Sequence, residues 1–124
     1  MEPERKAFLD EIIRETKRRN AAELRRAAER KESARAEARR LAATIAELPG
    51  VRRVLLFGSA TLRGRFTMDS DIDLAIDGGD VIAATLLADR SAFKVDVVAL
   101  DGLHPAMREA VERDGEELDG AHQG

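Results

Sequence analysis

The chain has no cysteine, no tyrosine and no tryptophan, and only two histidines and three prolines among its 124 residues. Without cysteine there can be no disulfide framework, no zinc–thiolate site and no thiol nucleophile. His104 opens a helix and His122 lies in the tail, which argues against a histidine-based metal site. No apolar run approaches the ~20 residues of a membrane-spanning helix. The opening Met1-Glu2-Pro3-Glu4-Arg5-Lys6 lacks the apolar core of a signal peptide. A cytoplasmic protein with no membrane partner is the expectation. Glycine and proline are both missing from Glu4 to Leu48, which removes every strong helix breaker from more than a third of the chain.

Apolar residues make up 44% of the chain, enough for one compact core, and charged residues 36%, a large solvated surface. The charge is uneven. Residues 1–48 hold 13 Lys and Arg against 10 Asp and Glu, whereas residues 49–124 hold 8 against 14. A basic N-terminal half could meet RNA or an acidic partner. Its two signs are interleaved, however, as in an exposed helix laced by ion pairs.

The breaker-free stretch reads as helix, roughly 65 Å long as a single rod. Phe8, Ile12 and Ile13 form one apolar patch and Leu41, Ile45 and Leu48 another. The second patch is expected to cover the domain. The first needs cover of its own: a fold-back hairpin broken near Asn20 or Ser33, or a partner chain. Pro49-Gly50 ends the helix. Val54–Phe57, Ser70–Ile76 and Phe93–Leu100 read as strands. Asp80 is expected to cap a helix from Val81 to about Asp89, and His104-Pro105 to open a last helix from Ala106 to about Arg113. The alternation α-β-α-β-α-β-α predicts an α/β (α+β) mixed sheet with flanking helices and a long N-terminal helical extension. The expected divisions are an extension over 1–33, a domain over 34–118 and a frayed tail over 119–124.

Within that frame, Ser70-Asp71-Ile72-Asp73-Leu74 is the segment hardest to explain as core. Side chains two apart in a strand share a face, so Asp71 and Asp73 project together. Adjacent carboxylates repel unless a cation lies between them, and hard oxygen ligands suit Mg²⁺ or Mn²⁺. Asp96, a lone acid in Lys94-Val95-Asp96-Val97-Val98, would complete a three-carboxylate cluster if its strand lies alongside. Upstream, Gly58-Ser59 follows a strand directly. Glycine lets backbone approach a ligand closely, and N–H groups at such a turn suit phosphate oxygens. Arg63 and Arg65 follow and could neutralise a triphosphate. Taken alone, Thr61 and Ser70 are turn-formers, and both arginines are surface residues.

Together these residues resemble the minimal nucleotidyltransferases of the DNA polymerase β superfamily. The resemblance rests on Leu56-Phe57-Gly58-Ser59, Arg63-Gly64, Ser70-Asp71-Ile72-Asp73-Leu74 and Val95-Asp96-Val97-Val98. The segments Leu103-His104-Pro105-Ala106-Met107-Arg108 and Arg113-Asp114-Gly115 also look like the family's closing helix and turn. It covers about residues 38–118, with a loop between Ser59 and Ser70 one residue longer than usual, and says nothing of the N-terminal 33 or so.

The resemblance implies transfer of a nucleoside monophosphate from ATP or another NTP to a hydroxyl, with release of pyrophosphate. Asp71, Asp73 and Asp96 would be the catalytic and metal-holding set, Asp96 either ligating the catalytic metal or taking the acceptor proton. Gly58, Ser59, Arg63, Arg65 and Ser70 would meet the triphosphate. Small members of this kind pair with HEPN-domain toxins as antitoxins, some by adding AMP to the toxin. The implied partner is therefore a HEPN-type protein, or a second copy bound through the N-terminal helix. The alternatives are an antitoxin that works by binding alone and a transferase acting on an RNA 3′ end.

Overall fold

The structure is a computed structural model and describes residues 2–118. The expected frayed tail, 119–124, lies outside the described residues. Helix α1 runs Pro3–Ile45 without interruption. Pro3 occupies its first turn, where a missing N–H costs nothing, and no breaker follows until Pro49-Gly50. The hairpin expected at Asn20 or Ser33 does not form. Ala, Arg, Glu and Lys all favour helix, so nothing in the local sequence pulls the chain out of it.

Strand β1 (Arg53–Phe57) leads through a single 3₁₀ turn, Gly58–Ala60, and a loop into strand β2 (Ile72–Asp77). Helix α2 (Val81–Ala88) is capped by the Asp80 carboxylate, which accepts from the Ile82 and Ala83 N–H groups. Strand β3 (Val95–Ala99), helix α3 (Pro105–Asp114) and a two-residue strand β4 (Glu116–Glu117) complete the fold. His104 caps α3, its Nδ1 accepting from the Ala106 N–H. Strand β4 was not expected. Glu116-Glu117 has no intrinsic strand character, and its ladder exists because Leu55 and Leu56 offer a bare edge.

The four-stranded sheet has the order β3-β2-β1-β4. Strands β1 and β2 are antiparallel, β1 and β4 antiparallel, and β2 and β3 parallel with α2 as their crossover. Alternation along the strands separates two faces. Val54, Leu56, Ile72, Leu74 and Ile76 point to α1 and α2, where Ala34, Ala38, Leu41, Ala42 and Ile45 are buried against them. Leu55, Ala75, Leu100 and Val111 form a smaller cluster on the other face, under α3. Three alanines among the five buried residues of α1 let the helix axis approach the sheet closely.

Only the C-terminal part of α1 is covered. Phe8, Leu9, Ile12, Ile13 and Leu24 are exposed on the part that overhangs the domain. Among the described residues no helix is long and apolar enough to cross a membrane.

Candidate functional site

Because Ile72, Leu74 and Ile76 are taken up by the α1 face, Asp73 must point the other way, to the face that carries α3. The same parity applies in β3, where Val95 and Val97 turn inward and Asp96 outward. The parallel register sets Asp73 directly beside Asp96. The sequence expectation of neighbouring strands is met, and the two carboxylates share one open face. Asp71, just before β2, has the same parity and lies 3.7 Å from the Lys94 ammonium.

The electrostatics of this pair are unfavourable as they stand. Partial burial, then the charges of Asp96 and Asp71, push the Asp73 carboxyl up to about 6. A divalent cation is the natural remedy for like charges so placed, and an all-carboxylate donor set matches a hard ion. The donors fit such an ion in kind. They are not gathered into a closed centre: among the described residues no group of three His, Asp or Glu side chains is drawn together as one, and an ion held here would complete its shell with waters and phosphate oxygens.

The Gly58 turn abuts the acids. Phe57 is the register partner of Asp73, and Gly58 adopts φ +77, a left-handed conformation. A Cβ on Gly58 would stand 2.6 Å from Asp73 Oδ2. Glycine is thus required twice, by the backbone angle and by the carboxylate resting over it. Gly64 closes the turn from behind. A Cβ there would come within 2.5 Å of the Gly58 and Ser59 carbonyl oxygens. Thr61 acts as the turn-former it resembled, its hydroxyl donating to the Gly58 carbonyl (2.8 Å).

Beside the turn opens a cleft of about 720 Å³ between Phe57, Gly58 and Arg63 on one side and Met107, Val111 and Arg113 on the other. Arg63 therefore stands where a ligand at Gly58 would be within its reach. Arg65 does not join it. It lines a separate groove against α1 with Phe66 and Met68. Ser70 is occupied in the loop, its hydroxyl accepting from the Thr67 N–H (2.9 Å).

The turn is held in place by three residues that sequence reasoning missed. The Arg35 guanidinium donates to the Ala60 carbonyl (2.8 Å) and to both Glu116 carboxylate oxygens (2.9 and 2.7 Å). The Leu62 N–H donates to the same carboxylate (2.7 Å). Lys31 donates to the carbonyls of Leu62 (3.1 Å) and Gly64 (2.7 Å). Helix α1 and strand β4 thereby clamp the loop that carries Gly58 and Ser59. No sequence signal marks this clamp, since its members are charged residues far apart in the chain.

A family model described as "nucleotidyltransferase domain" matches residues 38–114. The chain belongs to that family. The match spans β1, the Gly58 turn, the Asp71–Asp73 segment, β3 and α3, and excludes most of α1. Comparison with curated proteins and with solved structures returned no match. The nucleotidyltransferase domain accounts for the class of reaction, nucleotidyl transfer.

Proposed function

We propose that this nucleotidyltransferase moves a nucleoside monophosphate, AMP from ATP, to a hydroxyl of a protein partner, as the antitoxin of a HEPN-type toxin. The observation that carries the transferase reading is the side-by-side register of Asp73 and Asp96 with Gly58 directly against Asp73. It brings an acidic pair and a backbone turn suited to phosphate onto one open face. Asp71, Asp73 and Asp96 would hold Mg²⁺ or Mn²⁺. When bound, such an ion supplies charge that offsets the triphosphate and makes the acceptor hydroxyl easier to deprotonate.

The chain's own residues account for the rest. The Gly58-Ser59 backbone, with the Ser59 hydroxyl, would receive phosphate oxygens, and Arg63 would neutralise them from the cleft wall. The acceptor oxygen forms a bond to the α-phosphorus while the bond from that phosphorus to the bridging oxygen breaks, and pyrophosphate leaves. Asp96 is exposed beside Asp73 and would accept the hydroxyl proton. The family resemblance supports a toxin as the protein acceptor.

The test is transfer from α-labelled ATP with Mg²⁺, in the presence of the protein encoded by the neighbouring gene and of bulk tRNA. Label on the neighbour is expected, and loss of label with Asp71→Asn combined with Asp73→Asn. Label on RNA would replace the protein acceptor with an RNA end. Label that survives the double substitution would remove the assigned site.

A further inference from the structure

The loop from Gly58 to Gly64 is held from within by the Thr61 N–H and hydroxyl on the Gly58 carbonyl (3.3 and 2.8 Å) and by the Gly64 N–H on the Thr61 carbonyl (2.9 Å). Three further carbonyls, those of Ala60, Leu62 and Gly64, turn toward α1, where Arg35 takes the first and Lys31 the other two. Lys31 and Arg35 are four residues apart on the helix and so share a face. The direction of these carbonyls matters to an anion. In a planar trans peptide the N–H of one residue points opposite to the C=O of the residue before it. Fixing the Leu62 carbonyl on Lys31 therefore turns the Arg63 N–H away from α1, and Arg63 lines the cleft beside Gly58. A flipped peptide would offer a phosphate a repelling oxygen in place of a donor.

The hold reaches Gly58-Ser59 from two sides. Gly64, gripped by Lys31, packs so closely on the Gly58 and Ser59 carbonyls that it has no room for a Cβ. Ala60, gripped by Arg35, is the residue directly after Ser59. Glu116 completes the arrangement from β4, accepting from the Leu62 N–H and from both terminal nitrogens of Arg35. All three clamp residues lie outside the segment 38–114 that the family model matches.

We propose that Lys31, Arg35 and Glu116 are positioning residues for the nucleotide: they act through the Gly58–Gly64 backbone, which they set in the form that receives a triphosphate. This rests on the transferase reading above and adds to it that nucleotide affinity depends on parts of the chain beyond the family domain. The two cations keep the electronegative side of the loop on the helix, so binding a triphosphate requires no rearrangement of the backbone. They also work from the far side of the loop, as supports and not as ligands.

The test is calorimetric titration of the intact chain with Mg²⁺ and α,β-methylene-ATP, whose bridging carbon prevents transfer. Lys31→Met leaves the Arg35–Glu116 fork in place, so it should fold, yet bind this probe about tenfold more weakly. Lys31→Arg, which can still donate to both carbonyls, should recover most of the loss. Amide exchange at residues 60–64 of the nucleotide-free chain should quicken in Lys31→Met and return toward the parent in Lys31→Arg. Arg53→Ala is the control for stability alone. It strips the buried Asp77 carboxylate of one partner at the opposite end of β1, and should lower the melting temperature while leaving the affinity unchanged. Parental affinity in Lys31→Met, in a chain that binds the probe, would overturn the positioning role and leave the transferase reading standing. Equal weakening by Arg53→Ala would overturn it as well, by showing a general effect of stability. A parent chain that binds no Mg²⁺–nucleotide would remove the transferase reading itself, and the positioning role with it.

Discussion

Arg35, in the C-terminal quarter of α1, grips Glu116 of β4 with two parallel hydrogen bonds, across the loop that leads from Gly58 to Gly64. The guanidinium side chain is only 12% exposed, and its hydrogen bond to Glu116 holds that carboxyl below its usual range. Arg35 also donates to Ala60 and Glu116 accepts from Leu62, so the pair fixes the loop backbone at two points.

Arg35→Ala should therefore lower stability by about 2–3 kcal/mol, because it leaves a partly buried carboxylate without its partner. Amide exchange should quicken at residues 60–64 more than in β2 or β3. Arg35→Lys should restore charge but not the fork, and recover only part of the loss. Equal protection of the loop in all three proteins would show that the pair does not restrain it.

Gly58→Ala is expected to fold, with a loss of about 1–2 kcal/mol for the left-handed backbone. Its larger effect should fall on the acids, since the new methyl displaces the Asp73 carboxylate. Thermal denaturation with and without Mg²⁺ separates the two effects. The parent should gain stability from the ion and the variant should not.

The raised Asp73 pKa gives a pH signature in the metal-free protein. Its folded value, about 6, lies above the ordinary 3.8, so the folded state binds this proton more tightly than the unfolded one. The group therefore penalises folding above about pH 6, and the penalty fades as pH falls toward 4. Asp73→Asn should be more stable than the parent at pH 7, on the order of 1 kcal/mol after solvent screening, with no difference near pH 4. Glu37, Asp77 and Glu116 have lowered values and act in the opposite sense, but they are common to both proteins and cancel. Saturating Mg²⁺ should reverse the order at pH 7.

Truncation should expose where the arm ends and the domain begins in energetic terms. Removing residues 1–20 is expected to leave the melting temperature within a few degrees of the parent. Removing residues 1–33 also takes away Lys31 and its two hydrogen bonds to the Leu62 and Gly64 carbonyls, and should cost measurably more. Circular dichroism melts of the two truncations decide it.

Much of this was legible from local chemistry. Asp80 announces its helix, Pro49-Gly50 ends α1, and the alternation around Asp71 and Asp73 predicts both strand and facing. Asp96 could be assigned to the same face because parity in β3 is as strict as in β2. What could not be read was long-range. The pairing of Arg35 with Glu116 has no spacing rule behind it, and β4 is a strand only by virtue of its neighbour. The expected hairpin failed for a different reason. Of the two covers expected for Phe8, Ile12 and Ile13, a hairpin or a partner chain, the hairpin fails because helix propensity carries all three straight past the domain. The separation of Arg63 from Arg65 follows from the turn between them, where the Gly64 N–H donates to the Thr61 carbonyl (2.9 Å).

The sheet also divides labour. Helix α1 lies against one face, and Asp73 and Asp96 open from the other. A molecule that grasps the arm therefore approaches from behind the chemistry and does not shade it. The arm can serve as a handle: tethering the chain to a surface, or fusing it to a carrier, through residues near Phe8 should leave the acidic face as accessible to a bulky acceptor as in the untethered protein.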